Sequence, residues 1–137
     1  MPVKTLDHVN IRTPDVPATV AFFRDVLGLE ARPAPGAAHI DKGCWIHDPA
    51  GHPIVHIGPV KGRYPSDEAS PFAAARGSGA VHHVALECDD LPDMLARLEK
   101  IGRPVSRVDF DAARLVQLFV EEENGVLLEL NFRTGAG

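Results

Sequence analysis

One motif occurs twice in this chain, and that repeat constrains the fold more than any other feature. Residues 6–11 read Leu6-Asp7-His8-Val9-Asn10-Ile11, and residues 81–86 read Val81-His82-His83-Val84-Ala85-Leu86. Both stretches alternate, and both carry a histidine at the third place. Side chains of a strand alternate between its faces, so His8, Asn10 and Arg12 are predicted on one face, with Val9 and Ile11 on the other. His83, Ala85 and Glu87 match them in the second copy, opposite Val84 and Leu86. The aliphatic faces can pack a core, which turns both histidines away from it. Two histidines at equivalent places of a repeat point to a shared task.

The repeat continues along the chain. Subtracting 8 from 83 gives an offset of 75 between the histidines. The helix-like segments after them end at Gly28 and Gly102, and 102 minus 28 gives 74. The closing strands match His56 with Glu129, and 129 minus 56 gives 73. A long period met only twice means two modules with small insertions, not a solenoid. The predicted modules cover 4–57 and 80–132, joined by a connection at 58–79, within one domain of 137 residues. The connection is rich in Pro and Gly and reads as irregular, either a binding segment or a solvated linker.

Each module reads as strand, helix and three strands. In the first these are 4–12, a helix over 16–27 with a core stripe of Val20, Phe23 and Leu27, then 29–32, 39–47 and 53–57. In the second they are 81–87, a helix capped by Asp90 and ended by Gly102, then 104–109, 115–120 and 126–132. Asp48-Pro49-Ala50-Gly51 and Glu121-Glu122-Glu123-Asn124-Gly125 read as turns before the closing strands, the acid run as a solvated loop. Residues 133–137 read as a frayed tail.

The net charge of −5 leaves no basic footprint for nucleic acid. No apolar run approaches membrane-spanning length, and the two cysteines, Cys44 and Cys88, make no disulfide framework. The expectation is a cytoplasmic protein acting on a small molecule, with neither nucleic acid nor membrane as partner.

Four candidate metal ligands stand at symmetric places: His8 and His83 on the first strand of each module, His56 and Glu129 on the last. If each sheet curls and the two pair about a pseudo-twofold axis, all four can face one cavity. Imidazoles with one carboxylate suit Fe, Mn, Co, Ni or Zn. Glu129 sits among Leu127, Leu128, Leu130 and Phe132, where a carboxylate is buried only if paired or on a metal. His56 has the least certain register, because it lies five residues after Gly51 whereas Glu129 lies four after Gly125. His39, His47, His52 and His82 read as ordinary core, turn or surface residues. Asn10 and Arg12 are candidates for binding a substrate oxygen or carboxylate, as is Gln117 from the second module.

With these motifs, together with Phe22-Phe23-Arg24-Asp25-Val26-Leu27-Gly28-Leu29 and Asn124-Gly125-Val126-Leu127-Leu128-Glu129-Leu130, nearly the whole chain resembles the vicinal oxygen chelate superfamily. This is the group of glyoxalases, bleomycin-resistance proteins and extradiol dioxygenases. The resemblance implies an α+β fold of two pseudo-symmetric βαβββ modules forming an open, curled mixed sheet around a divalent metal. It places the family's ligands at His8, His56, His83 and Glu129. It also implies a homodimer, with Phe22, Phe72 or Trp45 as contributors. Members of the family stabilise an anionic intermediate such as an enediolate. A four-ligand set favours glyoxalase- or epimerase-like lyase or isomerase chemistry with Glu129 as base, although such members usually carry Glu or Gln where His56 stands. A triad of His8, His83 and Glu129 alone would favour ring cleavage with Fe(II) and oxygen. A non-catalytic binding or resistance protein on the same fold is the third reading.

Overall fold

The computed structural model describes residues 2–70, 72–73 and 75–133. The chain divides into two compact units, Met1–Ala75 and Arg76–Gly137, and the split falls inside the predicted connection.

The first unit runs β1 (Val9–Thr13), α1 (Val16–Ala21), a π-helical turn (Phe22–Val26), β2 (Glu30–Pro33), β3 (Cys44–His47) and β4 (Pro53–Pro59). The second runs β5 (Val84–Cys88), α2 (Leu91–Ile101), β6 (Ser106–Phe110), β7 (Leu115–Glu121) and β8 (Leu127–Arg133). The two sheets have matching orders, β1-β4-β3-β2 and β5-β8-β7-β6. In each, the first strand pairs parallel with the last and the other pairings are antiparallel. This is the predicted α+β pattern of two βαβββ modules with open mixed sheets.

Local chemistry explains the helices. The Asp15 side chain accepts from the Ala18 amide at 3.0 Å, and the Asp90 side chain accepts from the Asp93 amide at 3.2 Å. These caps satisfy amides that the first turn leaves unpaired. Pro17 and Pro92 come at the second helical position, where no N–H is needed. Each helix buries one face: Val16, Val20, Phe22, Phe23 and Val26 belong to the core in the first, Met94 and Leu98 in the second. Phe22, offered above as a dimer contact, is part of that core.

The drift in the repeat offset has a structural origin. From cap to terminal glycine, the first helical segment has one residue more than the second (28 − 15 = 13; 102 − 90 = 12). The π-helical turn absorbs it, with the Leu27 amide reaching back to the Phe22 carbonyl. The next extra residue is Ile54. Ile46 pairs with Val55 but His47 pairs with Pro53, so Ile54 is the added residue of a β-bulge. In the second unit Val120 pairs with Leu128 and Glu121 with Leu127, without a bulge.

Several boundaries differ from the sequence reading. β1 starts at Val9 and β5 at Val84, so both histidines stand one residue before their strands. In the first unit the ladder begins at Val9–Val55 because the bulge and Pro53, which lacks an N–H, lie next on β4. The predicted strand 39–47 is a 3-10 turn at Ile40–Lys42 and then the short β3. Its partner β2 has only four residues and ends at Pro33, paired with Cys44. Of the predicted tail, residues 134–137 lie outside the described residues.

The largest correction concerns the acid run. Glu122 is buried, with 1% exposure. Its carboxylate accepts from the amides of Asn124 and Val126 at 2.7 and 3.0 Å, and from Asn124 Nδ2 at 2.9 Å. Asp48 holds the equivalent turn of the first unit through the His52 amide at 2.9 Å.

Candidate metal centre

Each unit brings two of the four predicted donors together. In the first, the imidazoles of His8 and His56 are stacked, with ring centroids 3.7 Å apart and planes 12° from parallel. His56 is covered on its other side by Trp45, its cross-strand partner, at 4.0 Å and 7°. In the second, His83 Nε2 lies 3.9 Å from Glu129 Oε2. The bulge settles the register of His56. His56 lies opposite Asn10 on β1 and Trp45 on β3, and Glu129 lies opposite Ala85 on β5 and Phe119 on β7. The two residues therefore occupy equivalent positions in matching sheets.

The first pair is arranged for donation. His8 Nδ1 donates to Asp7 Oδ2 at 2.6 Å, which leaves Nε2 with its lone pair. That bond is the foremost cause holding the Asp7 carboxyl below its ordinary value. The Pro53 backbone, which has no N–H to donate, can only accept from the His56 ring. Its Nε2 is buried and has no hydrogen-bond partner among the described residues. Burial, and then the neighbouring His8, lower the His56 pKa, so this ring stays neutral at neutral pH. A buried nitrogen lone pair with no donor is costly, and a metal ion is one occupant that would satisfy it.

The second pair is held by a polar ladder. Asn131 Nδ2 donates to Glu129 Oε2 at 3.1 Å, and Gln117 Nε2 donates to Asn131 Oδ1 at 3.0 Å. The Glu129 side chain is 14% exposed. His83 Nδ1 is 3.0 Å from Nδ1 of the exposed His82. Three imidazoles and one carboxylate fit a divalent transition metal in kind. Within neither unit do three such side chains gather among the described residues.

Arg12, a candidate for substrate, is committed elsewhere. Its guanidinium donates to Asp67 Oδ1 at 2.5 Å and to Ser66 Oγ at 2.9 Å, and lies 3.9 Å above the Tyr64 ring. It ties residues 64–67 of the connection to β1. Tyr64 in turn packs on Gly58, where any Cβ would collide with its hydroxyl group. Asn10 is exposed and lines the same cleft as His8 and His56, a hollow of about 890 Å³ in the first unit. Gln117 serves Asn131 in this arrangement.

Sequence reasoning passed over Asp7, Trp45 and Asn131. Asp7 adjoins His8 in the chain, and Asn131 comes after Glu129 at strand spacing, so both carried a local signal. The stacking of Trp45 on His56 depends on the bulged register and carried none.

Of the other histidines, His47 is buried and its Nδ1 donates to the Trp45 carbonyl at 3.1 Å. His52 Nε2 donates to the Asp7 carbonyl at 2.7 Å. No helix among the described residues is long and apolar enough to cross a membrane.

The family model described as glyoxalase/bleomycin resistance protein/dioxygenase superfamily matches residues 5–130. A mitochondrial methylmalonyl-CoA epimerase of Dictyostelium discoideum is 27% identical over 137 residues, covering 91% of this chain and 76% of that protein. An ethylmalonyl-CoA/methylmalonyl-CoA epimerase of Cereibacter sphaeroides is 26% identical over 136 residues, covering 91% and 95%. The crystal structure of a lactoylglutathione lyase from Agrobacterium tumefaciens shares the fold with a TM-score of 0.65 and 18% identity, covering 96% of each chain.

Proposed function

Because the chain belongs to the glyoxalase/bleomycin resistance protein/dioxygenase superfamily, we propose that it is a divalent-metal-dependent isomerase or lyase that removes a proton beside a carbonyl. The observation that carries this reading is the bare, buried Nε2 of His56. A fourth donor beside His8, His83 and Glu129 favours proton transfer, since it leaves two positions of an octahedral shell for a bidentate substrate and none for oxygen. The similarity to the two epimerases supports the same choice.

In this reading His8 and His56 from the first unit and His83 and Glu129 from the second are the metal ligands. The metal, when bound, supplies Lewis acidity that stabilises negative charge on substrate oxygens. The protein's own groups do the rest. Asp7 fixes the His8 tautomer, Trp45 and His8 clamp the His56 ring, and Asn131 orients the Glu129 carboxylate. Glu129, the one carboxylate of the set, takes the proton from carbon. Asn10 donates to a substrate oxygen from the cleft wall. A homodimer belongs to the same reading and is checked by solution mass.

The test is anaerobic reconstitution with Mn(II), Co(II), Ni(II), Zn(II) or Fe(II). Methylmalonyl-CoA in D2O and 2-oxoaldehyde–thiol adducts are then assayed, with catechols in air as the contrast. Deuterium incorporation at the methylmalonyl C2, or turnover of the adduct, without oxygen is the expected result. Oxygen consumption with Fe(II) and a catechol alone would replace the reading with ring cleavage. Ligand binding without turnover in any metal state would place the chain among non-catalytic binders.

A further inference from the structure

The cleft of the first unit has a charge pattern that the metal donors do not explain. The chain carries 19 acidic and 14 basic residues, yet among the described residues no Asp or Glu lines this cleft. Arg12, Lys42 and Arg63 do line it. The charge of Arg12 is met by Asp67. Lys42 and Arg63 have no carboxylate partner among the described residues. Both are exposed and come from different segments of the wall: Lys42 closes the 3-10 turn before β3, and Arg63 comes after β4 in the connection. The apolar part of the wall includes Ala34, Pro35, Ala37, Trp45, Ile57 and Pro59. Unneutralised cations lining a concave surface focus a positive field on one spot of a protein that is negative overall.

We infer that Lys42 and Arg63 form an anion-binding subsite that holds a phosphate or carboxylate group of the substrate while its reacting carbon lies near His8 and His56. The substrate class is then a small acyl or carbonyl compound bearing a separate, permanently charged group. Lys42 contributes a mobile point charge and Arg63 a planar fork that can take two oxygens of one anion. The subsite rests on the proposed function for its substrate, but the binding itself needs no turnover.

The test uses inorganic pyrophosphate and malonate as probes, titrated into the intact wild-type protein and monitored by amide chemical shifts. The expected result is saturable binding of at least one probe, with shifts at 42–43 and 62–64. The probe that binds more tightly identifies the group as phosphate or carboxylate. Lys42→Glu/Arg63→Glu is expected to weaken binding by about tenfold or more, and raising the salt is expected to weaken it in the wild type only. Lys42→Gln/Arg63→Gln, which removes charge without reversing it, is expected to fall between. Equal affinity in all three proteins, or no saturable binding of either probe to the wild type, overturns the subsite. Retained probe binding in a protein that turns over no carbonyl substrate would remove the proposed function and leave the subsite standing.

Discussion

Trp45 lies flat on His56, with ring centroids 4.0 Å apart and planes 7° from parallel. The indole covers one face of the imidazole and His8 covers the other, so the His56 ring has no room to turn. Its unpartnered Nε2 therefore keeps one direction. Trp45→Leu removes one wall of that clamp. Metal affinity is expected to fall by about 10- to 100-fold, the usual loss when a residue that orients a ligand is removed. Trp45→Phe, which keeps a flat ring, should lose much less. Competition with a chelating dye measures both.

Asn131→Ala frees the Glu129 carboxylate from the side-chain amide that donates to it. Turnover is expected to drop by about tenfold or more, with a stability change of about 1 kcal/mol, the net worth of one such hydrogen bond. Gln117→Ala, one step further along the ladder, should have a smaller effect on turnover. An Asn131→Ala protein with wild-type turnover would show that Glu129 does not depend on this support.

Glu122→Ala leaves the amides of Asn124 and Val126 without their acceptor inside a buried turn. The expected loss is about 3 kcal/mol of folding stability, from hydrogen bonds to a charged group and the amides left unsatisfied. Glu122→Gln keeps a carbonyl oxygen for both amides and should lose about half as much. Urea unfolding curves compare the three proteins, and equal midpoints would show that the turn closes without this side chain.

Cys44 is fully buried, and burial pushes its thiol up to about 11 from the ordinary 9.0. The unfolded thiol ionises near 9.0 and the folded one near 11, so the stabilisation is complete below pH 9.0 and is lost as pH rises toward 11. A Cys44→Ala protein should show a flatter stability curve over that window, after allowance for the cavity. In the native wild type at pH 8, Cys44 is expected to resist alkylation until the protein unfolds.

What could be read in advance depended on how local the cause was. His8 and His83 were legible as candidates because each stands at the third place of a six-residue motif that the chain carries twice. Glu129 was legible as a candidate because a lone carboxylate among leucines needs a reason. His56 was uncertain because spacing from a turn cannot show where a bulge falls, and only the pairing of Ile46 with Val55 and His47 with Pro53 does. Glu122 was misread because its burial comes from the turn folding back around it. The engagement of Arg12 was invisible because Asp67 lies 55 residues away in the chain.

The π-helical turn at Phe22–Val26 also bears on ancestry. If the two halves descend from one duplicated segment, they have since come to differ by two single residues, one in a helix and one in a strand. A helix can widen by one turn, and a strand can bulge, without rotating the residues beyond the insertion. Phe23 and Val26 stay in the core and His56 stays level with Glu129. Length change in this architecture is therefore accommodated at these two joints. Among divergent copies, gaps should gather at residues 22–26 and 53–55 and avoid the stretches 9–13 and 84–88.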